Sequence, residues 1–180
     1  MDLRFNTSLA EGYKSASQIA RVLTEDWLAR NMYCPICGEV TIRRAEPNAP
    51  VKDYVCEHCK SQYELKSKRS DSDSFQATVA DGVYRTMIGR ITSLDNPSFF
   101  FMHYDKYRVN NLIIVPKCFF TPTIIKERKA LPSTARRAGW QGCSILMRKI
   151  PFIAKIPIIL NGVVRPVTEV VTHYNKVFSL

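Results

Sequence analysis

The chain lacks the features that would direct it to a membrane or out of the cell. Its first residues, MDLRFNTSLAEGYK, contain no basic segment followed by the apolar core of a secretory leader. No uninterrupted apolar run approaches the roughly 20 residues needed to cross a bilayer. The longest candidate, IPFIAKIPIIL, is broken by Lys155 and two prolines. Internal repeats and low-complexity tracts are missing too. Acidic residues are scarce, with 16 Asp and Glu against 26 Lys and Arg, so the net charge is +10. That excess favours an anionic partner, nucleic acid first, with an anionic membrane surface or plain solubility as weaker explanations. Six cysteines without a leader point to a reducing, cytoplasmic setting rather than to a disulfide frame.

What is present suits one ordinary domain spanning 1–180, with 46% hydrophobic residues to fill a core. In SASQIARVLTEDWLAR, residues 15–30, Ile19, Val22, Leu23, Trp27 and Leu28 recur at spacings near three and four, which predicts an amphipathic helix. Glu25 and Asp26 near its end could point toward a catalytic site, but read first as solvated helix carboxylates. YCPICGEV follows as a tight turn, then TIRRAEPNAPV as a loop. VKDYVCEHCKSQYELKSKR predicts two short strands around a second turn, with Val51, Tyr54, Val55, Tyr63 and Leu65 as strand-favouring or apolar positions. SDSDSFQATVADG reads as a polar loop, and Val83, Met87 and Ile91 predict a helix after it. SFFFMHYD and NNLIIVPKCFF are dense enough for central strands covered on both faces. The basic, loop-rich segment TIIKERKALPSTARRAGWQGCSI comes next, then short apolar runs with a hairpin signal at Asn161-Gly162. The fold class expected is α/β: a mixed sheet flanked by helices, with a small element inserted at 34–59.

That insert carries two C-x-x-C pairs, Cys34/Cys37 and Cys56/Cys59, eighteen residues apart. Four soft thiolates delivered two by two close a tetrahedral shell, so the spacing predicts a structural Zn²⁺ with no open position for chemistry. A redox dithiol would not need the second pair. Cys118 and Cys143 have no such partner and read as packing residues, and His58 as an exposed residue of the second turn.

Asp53 precedes the second pair and Glu64-Leu65-Lys66 follows it. On a strand Glu64 and Lys66 project from one face while Leu65 points the other way. Asp53 and Glu64, with the backbone carbonyl of Leu65, are hard oxygen donors suited to Mg²⁺, and Lys66 beside them could hold the attacking water of a phosphodiester hydrolysis. A solvated Glu-Lys pair of little energetic worth is the plainer alternative.

The Asp53 … Glu64-Leu65-Lys66 arrangement resembles the PD-(D/E)xK nuclease superfamily. LTEDWLARNMYCPICG, DYVCEHCKSQYELKSK, NPSFFFMHYDK, VNNLIIVPK and STARRAGWQGC further resemble the catalytic domain of the methyl-directed (type IIM) DpnI family of restriction endonucleases, through nearly the whole chain. The resemblance implies a restriction-endonuclease-like fold and a cytosolic, Mg²⁺-dependent endonuclease that cuts double-stranded GATC sites carrying N6-methyladenine. It implies catalysis by Asp53, Glu64 and Lys66, and zinc held by Cys34, Cys37, Cys56 and Cys59. Those enzymes also carry a C-terminal winged-helix domain, which is not expected within 1–180.

Arg136, Arg137 and Trp140 in STARRAGWQG combine phosphate- or guanine-gripping groups with a flat apolar face, the chemistry of a methyl-adenine sensor. A core-anchoring Trp beside solvated arginines would look the same. Lys68, Arg69, Lys126, Arg128 and Lys129 are candidate phosphate contacts. Two other functions remain open: a zinc-ribbon nucleic-acid-binding module without catalysis, and a repair or structure-specific nuclease of the same superfamily.

Overall fold

A computed structural model describes residues 1–46 and 53–179. The chain enters through α1 (Ala16–Asn31), which buries Leu23, Thr24, Trp27 and Leu28 on one stripe, and the Trp27 indole N–H donates to the Asp2 carbonyl at 2.8 Å. Two short strands, β1 (Arg43–Arg44) and β2 (Tyr54–Val55), lead into β3 (Gln62–Arg69). Next come β4 (Thr78–Val83) and α2 (Tyr84–Ile91), then β5 (Ser98–Tyr104) and β6 (Val109–Val115). The dense apolar runs are these last two strands, and they are buried as expected. The second half adds β7 (Ile125–Glu127), β8 (Gly142–Leu146), β9 (Ile156–Leu160), β10 (Val163–Val164) and α3 (Val167–Phe178).

A mixed sheet lies at the centre, in the order β1-β2-β3-β5-β6-β9-β10, and a smaller sheet is ordered β4-β8-β7. In the large sheet β3 and β5 run parallel, with Tyr63 opposite Ser98 and Lys66 opposite Phe101, while the other pairs are antiparallel. A parallel pair needs a crossover, which β4 and α2 supply. On one face, Thr24 of α1 meets Ser67 and Tyr174 of α3 meets Ser98, so both helices cover the side of Tyr63, Leu65 and Phe100. On the other face, Phe120 stacks on Phe99 with ring centroids 3.9 Å apart, and β4 reaches Lys66 from the small sheet. The buried apolar residues of all these elements form one continuous cluster. Among the described residues no helix is long and apolar enough to cross a membrane.

Four expectations change. The supposed loop SDSDSFQATVADG contains β4, whose sparse apolar side chains are matched by β8, with Val79 opposite Ile145. Val83 ends that strand and is exposed instead of opening the helical stripe; α2 buries Met87 and Ile91 only. The C-terminal stretch forms α3, set off by Pro166 and carrying Val170, Tyr174 and Val177 on its inner side. Cys118 is exposed in a short helical turn, whereas Cys143 is fully buried. The loop 41–51 holds the two residues of β1, and its remainder from 47, including Val51, lies outside the described residues. The Asn161-Gly162 hairpin forms as expected: both residues have positive φ, 50° and 74°, and Leu160 pairs with Val163.

The Tyr174 hydroxyl lies 2.7 Å from Ser98 Oγ, which also accepts from the Lys117 N–H at 3.1 Å. Tyr174→Phe leaves Ser98 one partner and is expected to cost about 1 kcal/mol in urea unfolding. An unchanged midpoint would show that this bond does not hold α3 to the sheet.

Candidate functional site

Two turns of the same build bring the four cysteines together. In the first, the Gly38 N–H donates to the Cys34 carbonyl at 2.9 Å and the Cys34 N–H to the Glu39 carbonyl at 2.8 Å. In the second, the Lys60 N–H donates to the Cys56 carbonyl and the Cys56 N–H to the Ser61 carbonyl, both at 2.9 Å. Each turn needs a left-handed residue after its second cysteine, filled by Gly38 at φ 79° and Lys60 at φ 61°. The four sulfur atoms lie within 4.8 Å of one another, with Cys34–Cys59 at 3.6 Å and Cys37–Cys56 at 3.7 Å. A Zn–S bond of about 2.3 Å gives a tetrahedral S–S edge of about 3.8 Å, so the cage has the size and the ligand chemistry of zinc. The Tyr63 hydroxyl, 2.9 Å from Cys34 Sγ, can donate to a thiolate there, and the Cys59 thiol donates to Ser61 Oγ at 3.2 Å. Asn175 of α3 donates to the Ile36 carbonyl at 3.1 Å and closes the outside of the first turn.

Strand alternation sends Tyr63 toward the cysteines and Glu64 and Lys66 to the opposite face. The Lys66 ammonium is bonded to Glu64 and, at 2.6 Å, to Asp81 of β4, all three side chains being almost buried. Asp53 donates its own N–H to the Tyr63 carbonyl at 3.0 Å and accepts the Leu65 N–H at 2.8 Å. In an extended strand a residue's N–H and C=O point the same way, so the Leu65 carbonyl also faces the Asp53 side. Glu64 Oε2 and Asp81 Oδ2 are buried without a hydrogen-bond partner.

The charges follow from this burial. Burial pushes Glu64 up to about 7, against the pull of Lys66 and with help from Asp81 and Asp53. Asp53 is raised by burial, partly offset by the Leu65 N–H and Lys66. Burial opposes the charge on Lys66, but Glu64 and Asp81 outweigh it and hold the ammonium above its ordinary range. Two buried carboxylates, Glu64 and Asp81, flank the Lys66 ammonium, each with one oxygen unpartnered, and Asp53 lies on the Leu65 side of the same strand. Carboxylate and carbonyl oxygens are the donor type that a hard divalent cation such as Mg²⁺ takes, although among the described residues only the four cysteines lie close enough to form a ready-made metal cage.

The sequence model of the DpnI, or Dam-replacing, family matches residues 1–180, the whole length of the chain. The chain belongs to this family. DpnI-family membership makes it a restriction-type nuclease with DNA as its substrate.

In this member of the DpnI family the candidate DNA-contact residues fall in three places. Lys68 and Arg69 are exposed at the far end of β3, Lys68 on the same face as Lys66. Lys126, Arg128 and Lys129 line a groove of about 410 Å³ with Arg148, on the small sheet. Arg136, Arg137 and Trp140 sit at the tip of an extended β7–β8 hairpin, closed by the Leu131 N–H to the Trp140 carbonyl at 2.9 Å. Trp140 folds back onto Gly142, where an added Cβ would lie 2.6 Å from its ring, and the Arg137 guanidinium stands 4.9 Å from the ring centroid. Glu25 and Asp26 pair with Arg21 and Arg30 on α1. The residue that sequence reasoning missed is Asp81, because its contact with Lys66 crosses from one sheet to the other.

Glu64 binds its proton more tightly folded than unfolded, so its contribution to stability is lost as pH rises from about 4.5 to about 7. Without divalent cation, Glu64→Gln is expected to flatten that decline in thermal melts, and an unaltered slope would count against the burial described. Replacing left-handed Lys60 by Gly is expected to raise stability by about 1 kcal/mol in chemical denaturation.

Proposed function

We propose that this chain is a Mg²⁺-dependent endonuclease of the PD-(D/E)xK type that hydrolyses phosphodiester bonds of double-stranded DNA at GATC sites carrying N6-methyladenine. The observation that carries the reading is the buried cluster in which Lys66 is bonded to Glu64 while Asp53 is fixed against the Leu65 N–H. A non-catalytic binding module has no reason to bury carboxylates around a lysine, since the desolvation they suffer is unfavourable without a cation or a reaction to serve.

When bound, Mg²⁺ supplies Lewis acidity toward the scissile phosphate and lowers the pKa of water. Asp53 and Glu64 would hold the cation by their carboxylate oxygens, with the Leu65 carbonyl as a third protein donor. Lys66 orients the attacking water through an N–H and opposes the negative charge that develops on the phosphate. On the opposite face of β3, zinc in the four-cysteine cage does no chemistry; it fixes the strand register that presents Asp53 beside Leu65. A reducing, cytoplasmic compartment keeps those thiols available. Methyl recognition is assigned to the hairpin tip, where Trp140 offers an apolar face and Arg136 and Arg137 reach phosphate or base edges, with Lys68 and Arg69 as further phosphate contacts. The family match and the basic surface support this part of the reading.

The test is digestion of adenine-methylated and unmethylated GATC plasmid, with and without Mg²⁺. Cutting is expected only of methylated plasmid and only with Mg²⁺, and Asp53→Ala is expected to abolish it while DNA binding and the circular-dichroism spectrum persist. Plasmid left intact in every lane, or cleavage by Asp53→Ala at the parent rate, overturns the assignment. Trp140→Ala is expected to blunt discrimination between the two plasmids. Withdrawal of Mg²⁺ stops the reaction and leaves the fold intact, whereas stripping zinc with a thiol-reactive chelator is expected to unfold the cysteine turns.

A further inference from the structure

The small sheet contributes a carboxylate to the cluster around Lys66. Asp81 lies on β4, fifteen residues beyond Lys66 in the chain, and its Oδ1 is 2.6 Å from the Lys66 Nζ. The local backbone is built to aim it. Asp81 pairs with Cys143 and Val83 with Gly142, so the register slips at Gly82 and the strand bulges there. The freed Gly82 N–H donates to the same Asp81 oxygen at 2.8 Å and fixes the carboxylate's rotamer. Asp81 then projects beside fully buried Cys143 into the gap between the two sheets.

The nuclease reading gives this contact a task. Glu64 has two demands on it, the cation and the lysine, and its Oε1 is taken by Lys66. A lysine anchored by Glu64 alone would be loosened whenever Glu64 turned toward the cation. A second anchor from another sheet removes the conflict. An ammonium has three donors. With two directed at Glu64 and Asp81, the third remains for the water or the phosphate oxygen.

We propose that Asp81 is a positioning residue: it holds the Lys66 ammonium in line with the scissile phosphate when Glu64 engages the cation. This inference rests on the nuclease reading of the same site. Asp81→Asn keeps the shape and removes the charge. It is expected to lower kcat for methylated plasmid by about 10- to 100-fold, as loss of a supporting hydrogen-bond partner does, with KM and Ca²⁺-supported DNA binding within about twofold of the parent by the same reasoning, since the proposed role of Asp81 runs through Lys66 and not through DNA or the cation. Lys66 should become more reactive toward reductive methylation, measured by mass spectrometry against exposed Lys68 in the same molecule. Asp81→Glu, which keeps the charge at a changed reach, should recover part of the lost kcat, and it serves as the test variant should Asp81→Asn fail to fold. A parent-level kcat and Lys66 reactivity in a folded variant, with only the melting temperature lowered, would make Asp81 a structural bridge and overturn the proposal. If the parent cuts no DNA while Lys66 reactivity still rises in Asp81→Asn, the nuclease reading fails and the anchoring of Lys66 by Asp81 stands.

Discussion

Side-chain alternation along β3 is the constraint on which the rest of the structure depends. Tyr63 points to the cysteine cage and reaches Cys34, while Glu64 and Lys66, one and three residues on, point through the sheet to the opposite side. A slip of one residue would exchange the two faces and bury a carboxylate and an ammonium among the apolar side chains beneath α1 and α3. The register is fixed from both sides. Parallel pairing with β5 sets it along the strand, and the second cysteine turn, which joins β2 to β3, sets it at the entrance. The two polar centres are therefore two ends of one mechanical unit.

The layers around β3 have unequal duties. Helices α1 and α3 cover its apolar face with Trp27, Leu28 and Tyr174, each fully or almost fully buried, and α1 also brings Glu25 and Arg21 near enough to Asp53 to act on its charge. The small sheet is thinner and less apolar, yet it carries Asp81 inside, the Lys126–Arg128–Lys129 groove on its surface and the hairpin tip with Trp140 at its end. One strand, β8, links these features: Cys143 pairs with Asp81, and Gly142 receives the folded-back indole of Trp140. The hairpin tip and the anchor of Lys66 are thus only a few residues apart along β8.

Much of this was legible in the chain because it is local. The C-x-x-C pairs need only two tight turns, and Glu64-Leu65-Lys66 needs only the period of a strand. The helix at 16–31, the central strands and the Asn161-Gly162 hairpin each carry a periodicity or a turn signature of their own. The misses share a cause. β4 is exposed along most of its length and has almost no apolar pattern, so only its pairing with β8 makes it a strand. The α3 stripe of Val170, Tyr174 and Val177 was present but diluted by polar neighbours and preceded by short apolar strands.

The sequence by itself determined the local groupings: which cysteines can share a metal, and that Glu64 and Lys66 stand on one face of one strand. Short-range backbone geometry suffices for that, since it fixes where neighbouring side chains point. Tertiary structure alone decided that Asp81 joins them, that Trp140 lies folded against Gly142, and that Cys143 is buried while Cys118 is not. Those outcomes depend on two sheets meeting across a gap, and no periodicity within either strand encodes the partner it will face.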